Sequence, residues 1–141
     1  MITKKPIPLP LAMIICDTVI EDRFTGKKSL IGIFNTITAF QLPLRHPSLN
    51  IFCILTEGIG EYESILRCIK LDTNEPIINL KGPIMFPNPL AIVEFNFDLK
   101  NVVFPSVGQY VFELLCNDQL LISRKFTVGE FKKEKPAGNF S

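Results

Sequence analysis

The sequence is short of most residues that mark a chemistry. It has no tryptophan, two tyrosines and a single histidine, His46. One histidine cannot supply a multi-histidine metal centre. The cysteines at 16, 53, 68 and 116 are too widely spaced for a C-x-x-C element, which removes the usual zinc and thiol-redox signatures. Fifteen basic and 14 acidic residues leave a net charge of +1, so there is no electrostatic case for nucleic acid or an anionic membrane surface. No apolar run approaches the roughly 20 residues of a membrane-spanning helix. The start has the outline of an export signal, with Lys4 and Lys5 ahead of apolar residues. Pro6, Pro8 and Pro10 break that outline, and Asp17 ends an apolar run, Leu11–Cys16, that is shorter than a signal core. A lipoprotein signal needs a small residue before the cysteine, and Ile15 is not small. These absences predict a cytoplasmic protein with free thiols, no cofactor and no metal.

What is present is apolar and β-forming. A hydrophobic content of 47% is that of a folded chain, and 141 residues suit one domain with a real core. Twelve phenylalanines and 11 prolines fit an all-β chain with many corners. Residues 1–10 read as a proline-spaced extended lead laid along a sheet edge, 11–129 as a single β domain, and 130–141 as a flexible tail. Within the domain, strands are predicted over 11–20, 29–39, 49–56, 61–72, 77–81 and 91–99. Loops are predicted at 41–48 and 82–89, where prolines cluster. The segment 61–72 also fits a helical period; the glycines before it and the Thr73-Asn74-Glu75-Pro76 turn after it favour a strand.

Residues 103–128 organise the rest. Tyr110, Phe112, Leu114 and Cys116 share one parity and can line a core. Asn117-Asp118-Gln119 is a polar turn, and the second arm places Leu120, Ile122, Phe126 and Val128 among apolar positions, with Arg124 interrupting. Ahead of the hairpin stand Pro105 and Gly108, which mark a corner. A corner glycine, a tyrosine, and an apolar residue two further on resemble the tyrosine corner of immunoglobulin-like sandwiches. That resemblance implies a hydroxyl bond from Tyr110 to backbone near the corner, with Phe112 where antibody domains carry a cysteine. The implied fold is an immunoglobulin-like antiparallel β-sandwich of about seven or eight strands. Two segments, 11–37 and 104–121, together resemble a bacterial family of short uncharacterised proteins, a domain of unknown function. The Cys16-Asp17 pair and the Thr25-Gly26-Lys27-Lys28 turn are its distinctive features. The resemblance implies a small β-sandwich and carries no activity.

Candidate chemistry is sparse. Glu21, Asp22 and Arg23 adjoin a turn, where charges are solvated. Asp17 stands beside Cys16 in an apolar strand, and a carboxylate buried there would need a partner, so it reads as a structural device. Arg45 and His46 in the 41–48 loop are the candidates for a ligand site at one end of the sandwich. A Cys–His nucleophile would have to use His46, but no cysteine lies in an open, electropositive segment. Gly26-Lys27-Lys28-Ser29 lacks the upstream glycine and the following helix of a phosphate loop. The function expected is therefore non-catalytic, acting through protein contact or self-association. A homodimer is the simplest form, because 11–16, 30–34 and 49–55 are apolar on both parities. The alternative is a small-ligand binder or enzyme with its site in the loops at one end.

Overall fold

A computed structural model describes residues 5–131. These residues are all-β, with nine strands in two sheets. The strands are β1 (Leu9–Glu21), β2 (Lys28–Ile33), β3 (Thr36–Ala39), β4 (Leu44–Thr56), β5 (Gly60–Lys70), β6 (Glu75–Phe86), β7 (Val93–Phe104), β8 (Gly108–Cys116) and β9 (Gln119–Glu130). One sheet has the order β2-β1-β4-β7 and the other β3-β9-β8-β5-β6. All pairings are antiparallel except β3 with β9. Side chains of both sheets form one buried cluster between them.

The closing hairpin is built as its sequence pattern implies. Tyr110, Phe112 and Leu114 are fully buried and Cys116 nearly so. Asn117 and Asp118 both take positive φ, 47° and 67°, the left-handed pair that joins two strands with the correct twist. Leu120 departs from the pattern and is half-exposed, after a register shift between Leu114 and Leu115. Phe126 lies centrally, stacked on Tyr110 and Phe112 and edge-on to Phe104, with ring centroids 5.1–5.5 Å away. At the corner the Tyr110 hydroxyl donates to the Ser106 carbonyl at 2.6 Å. Gly108 holds φ +140°, and the buried stem of Lys70 lies where a side chain would otherwise project, with Cε 3.2 Å from that position. Tyr110→Phe should therefore cost about 1 kcal/mol, read as a lower melting temperature. An unchanged value would show that the hydroxyl does not pin this corner.

Several segments depart from the sequence expectation. Residues 29–39 are not one strand. The chain leaves the first sheet after Ile33, crosses at Phe34-Asn35, and joins the second sheet as β3. Residues 44–48 are strand rather than loop, and β6 runs through Pro83 to Phe86, because prolines are tolerated where a strand has an unpaired edge. Of the N-terminal lead, 1–4 lie outside the described residues, and Leu9 and Pro10 already belong to β1. Tyr62 of the interior strand β5 donates its hydroxyl to the Pro6 carbonyl at 2.7 Å, and Lys5 bonds the Glu61 carbonyl and sits over the Tyr62 ring. Of the predicted tail, Glu130 ends β9, while 132–141 lie outside the described residues.

The second apolar parity is partly covered by the chain itself. Leu49, Ile51 and Cys53 face the core, yet Asn50 and Phe52 on the opposite face are also buried, as is Cys16. Although β2 and β7 are opposite edges of the sheet in hydrogen-bond order, Lys28 Nζ lies 3.5 Å from Glu94 of β7. Both facts hold only if β1 bends near Cys16 and carries the β1–β2 hairpin back over the outer face. Beneath it, Asn50 donates to the Asp17 carbonyl at 3.0 Å and accepts from Asn96 at 2.7 Å, joining β1, β4 and β7.

Candidate functional site

The bend in β1 opens a site. β1 pairs with β4 from Leu9↔Thr56 only as far as Cys16↔Asn50. Among the described residues, β4 before Asn50 pairs with β7 alone, and β3 pairs with β9 alone. Between β3 and the start of β4 lies a cleft of about 320 Å³. It is lined by three consecutive residues of β3 (Thr36, Ile37, Thr38) and four of β4 (Leu44, Arg45, His46, Pro47), with Asp17 and Phe34. Successive strand side chains point to opposite faces. A wall made of consecutive residues is therefore a strand edge rather than a strand face.

Asp17, Arg45 and His46, singled out from the sequence, all border this one cleft. They come from two separate segments, and β1's bend places Asp17 over the start of β4. His46 faces inward because the strand parity changes at Pro47 and Asn101. Asn101 has φ +54°, and beyond it Val102 and Phe104 take the core side in place of the Leu99 parity. His46 pairs with Val102, and its ring lies 6.0 Å from that of Phe34. Its Nε2 is buried and has no hydrogen-bond partner among the described residues. Arg45 is exposed on the other side of the strand. Asp17 is also exposed, with its carboxylate over Gly32, so the buried partner expected for it is not needed. Neither Asp17 nor Arg45 enters an ion pair among the described residues.

The cleft's shape depends on residues that the sequence reading passed over. Arg124 donates to the Met13 carbonyl at 3.3 Å and to Asn35 Oδ1 at 2.9 Å, tying the two sheets at the crossover. The Asn35 carbonyl accepts from Thr127 N at 2.9 Å, and Phe34 N donates to Ile15 O at 3.1 Å. The signal available was one arginine interrupting an apolar arm. The corner at Pro105, Gly108, Tyr110 and Phe112 stands at the same end, since Leu44 pairs with Phe104.

The chemistry available is limited. Burial pushes the thiols of Cys53 and Cys68 up to about 12 and that of Cys116 up to about 11; Cys53 also feels Cys116, and Cys68 feels Glu113. Burial and the neighbouring Asp17 raise Cys16 as well. Such thiols stay protonated near neutrality and are poor nucleophiles, and none lines the cleft with His46. Among the described residues no three His, Cys, Asp or Glu side chains gather as a metal site, and no helix is long and apolar enough to cross a membrane. A larger groove of about 500 Å³ runs between β6 and β7, lined chiefly by apolar residues such as Ile77, Leu80 and Val102. Its flanking edges are interrupted by Pro76 and Pro83 and by left-handed Asn101.

Residues 11–129 match a family of unknown function, DUF6941. No curated protein matches the chain. The match covers most of the sequence, and the chain belongs to that family.

Proposed function

We propose that this member of the family is a non-catalytic module that acts through protein contact at the β3–β4 cleft. We place it in a bacterial cytoplasm and assign its two sheets to the immunoglobulin-like class. The observation that supports the reading is the cleft itself: among the described residues, two strand edges without pairing partners border it, and no activated nucleophile does. A site of this kind offers recognition through backbone and shape rather than bond-making. The buried, unpartnered Nε2 of His46 favours a second reading, a small-ligand site in the same cleft. Self-association is the third, supported by Ile20, Ile31 and Ile33, each about half exposed on the β1–β2 hairpin.

Site-specific photo-crosslinking in the host cell separates these readings. A benzophenone side chain is placed at Thr38 in the cleft, and in a second variant at Lys125, exposed on β9. The expected result is a discrete protein adduct from position 38 and none from 125. An adduct of twice the chain's mass, with a dimer by light scattering, would replace partner contact by self-association. No adduct at position 38 would overturn the cleft as a protein-contact site.

A further inference from the structure

We infer that the occupant of the cleft is an extended segment of a partner protein, added as a short strand to the free edge of β3. The inference rests on the reading of the cleft as a protein-contact site, and it names what binds there.

The direction of the β3 peptide groups carries the argument. The carbonyls of Asn35 and Ala39 accept from Thr127 N and Phe131 N, so these residues turn their peptide groups toward β9 and its continuation. In an extended chain the peptide groups of alternate residues point to opposite sides, and in a parallel pair each residue directs its N–H and C=O the same way. Thr36 and Thr38 therefore direct both N–H and C=O away from β9, toward the cleft. Four backbone hydrogen-bonding groups border it, beside side chains that cannot replace a strand. Exposed edges of this kind invite pairing unless they are interrupted. The β6 and β7 edges are interrupted, by Pro76, Pro83 and Asn101. β3 reads Thr36-Ile37-Thr38-Ala39, with neither proline nor charge.

The cleft also states what the segment should look like. Four residues of β3 span about 13 Å, enough for a strand of four or five residues. Side chains on the inner face would meet Phe34, Ile37 and Leu44, which calls for alternating apolar residues. A serine or threonine among them would supply the partner that His46 Nε2 lacks. A second copy is a poor donor. Its described apolar segments are already paired in the two sheets, and its longest strand-free stretches, 22–27 and 87–92, are turn segments.

The test uses the full chain and an equimolar pool of synthetic nonapeptides in which valine or isoleucine alternates with threonine or serine. The pool should bind in fluorescence anisotropy and slow amide exchange at Thr36 and Thr38. The same pool N-methylated at alternate amides should bind at least tenfold more weakly. Thr38→Pro removes one cleft-facing N–H while leaving the bonds to β9, and should weaken binding to a similar degree. Equal binding by the methylated pool, or no binding by either pool, would overturn the strand inference. So would amide protection that rises with protein concentration alone, which would mean a second copy. Binding only by a chain ended at Phe131 would assign the cleft to residues 132–141 and overturn the inference as well. If the peptides fail while photo-crosslinking at position 38 still yields a partner, the protein-contact reading stands and only the strand is lost. If both fail, both fall.

Discussion

Phe126→Ala should lower stability by about 3–5 kcal/mol, the range for removing a large aromatic from a packed core. Phe126 is 2% exposed and touches three other rings at once. Its loss leaves a cavity that neighbouring strands cannot close, because Tyr110 is held by its bond to Ser106 and Phe112 by the β5–β8 ladder. The change would remove a large share of the roughly 5–15 kcal/mol that holds a typical domain. Urea titration should show a much lower midpoint, or a chain already partly unfolded without denaturant. Leu120→Ala in the same strand is the control, since Leu120 is 53% exposed and should cost well under half as much. Equal effects of the two substitutions would mean that the four-ring cluster is not where the two sheets are held together.

The β8–β9 part of that cluster was legible from the sequence because it depends on alternation; Phe104 was not, because it reaches the core only through the parity change at Asn101. Tyr110, Phe112 and Leu114 repeat at a period of two, and Asn117-Asp118 is a turn with a local mechanism. The first part of β7 was legible for the same reason, with Glu94, Asn96 and Asp98 exposed and alternating with Val93, Phe95, Phe97 and Leu99. What was not legible depends on partners distant in sequence. Between Ser29 and Ala39 only Gly32 and Asn35 hint at a break, and the exchange of sheets there is held by Arg124, some 90 residues on. Pro47 and Pro83 suggest loops until it is known that each stands on a strand with one free edge. The candidate site shows the same division. Asp17, Arg45 and His46 could each be named, but their convergence on one cleft follows from the bend in β1. So does the exposure of Asp17, whose apolar neighbours in sequence implied burial. The bend also accounts for part of the second apolar face, which in sequence suggested a subunit interface.

Alkaline pH should unfold this protein through its thiols. Burial holds Cys53 and Cys68 near 12 and Cys116 near 11, against an ordinary value of 9.0. The folded state thus binds more protons than the unfolded state once pH exceeds about 9, so stability must fall as pH rises. The contribution is fully present below the unfolded value and is lost progressively between about pH 9 and 12. The three thiols act in the same direction, so their effects on stability reinforce one another as pH rises. Urea titrations at pH 8 and pH 10.5 should show a marked drop for the natural sequence. The Cys53→Ala, Cys68→Ala variant begins from lower stability because of its cavities, but it should lose less between the two pH values. All other groups are common to both proteins and cancel in that comparison. Equal losses would place the alkaline sensitivity elsewhere. A thiol reagent at neutral pH supplies the independent check: slow labelling when folded, and all four cysteines in denaturant. Fast labelling of the native chain would contradict the burial from which the pH dependence follows.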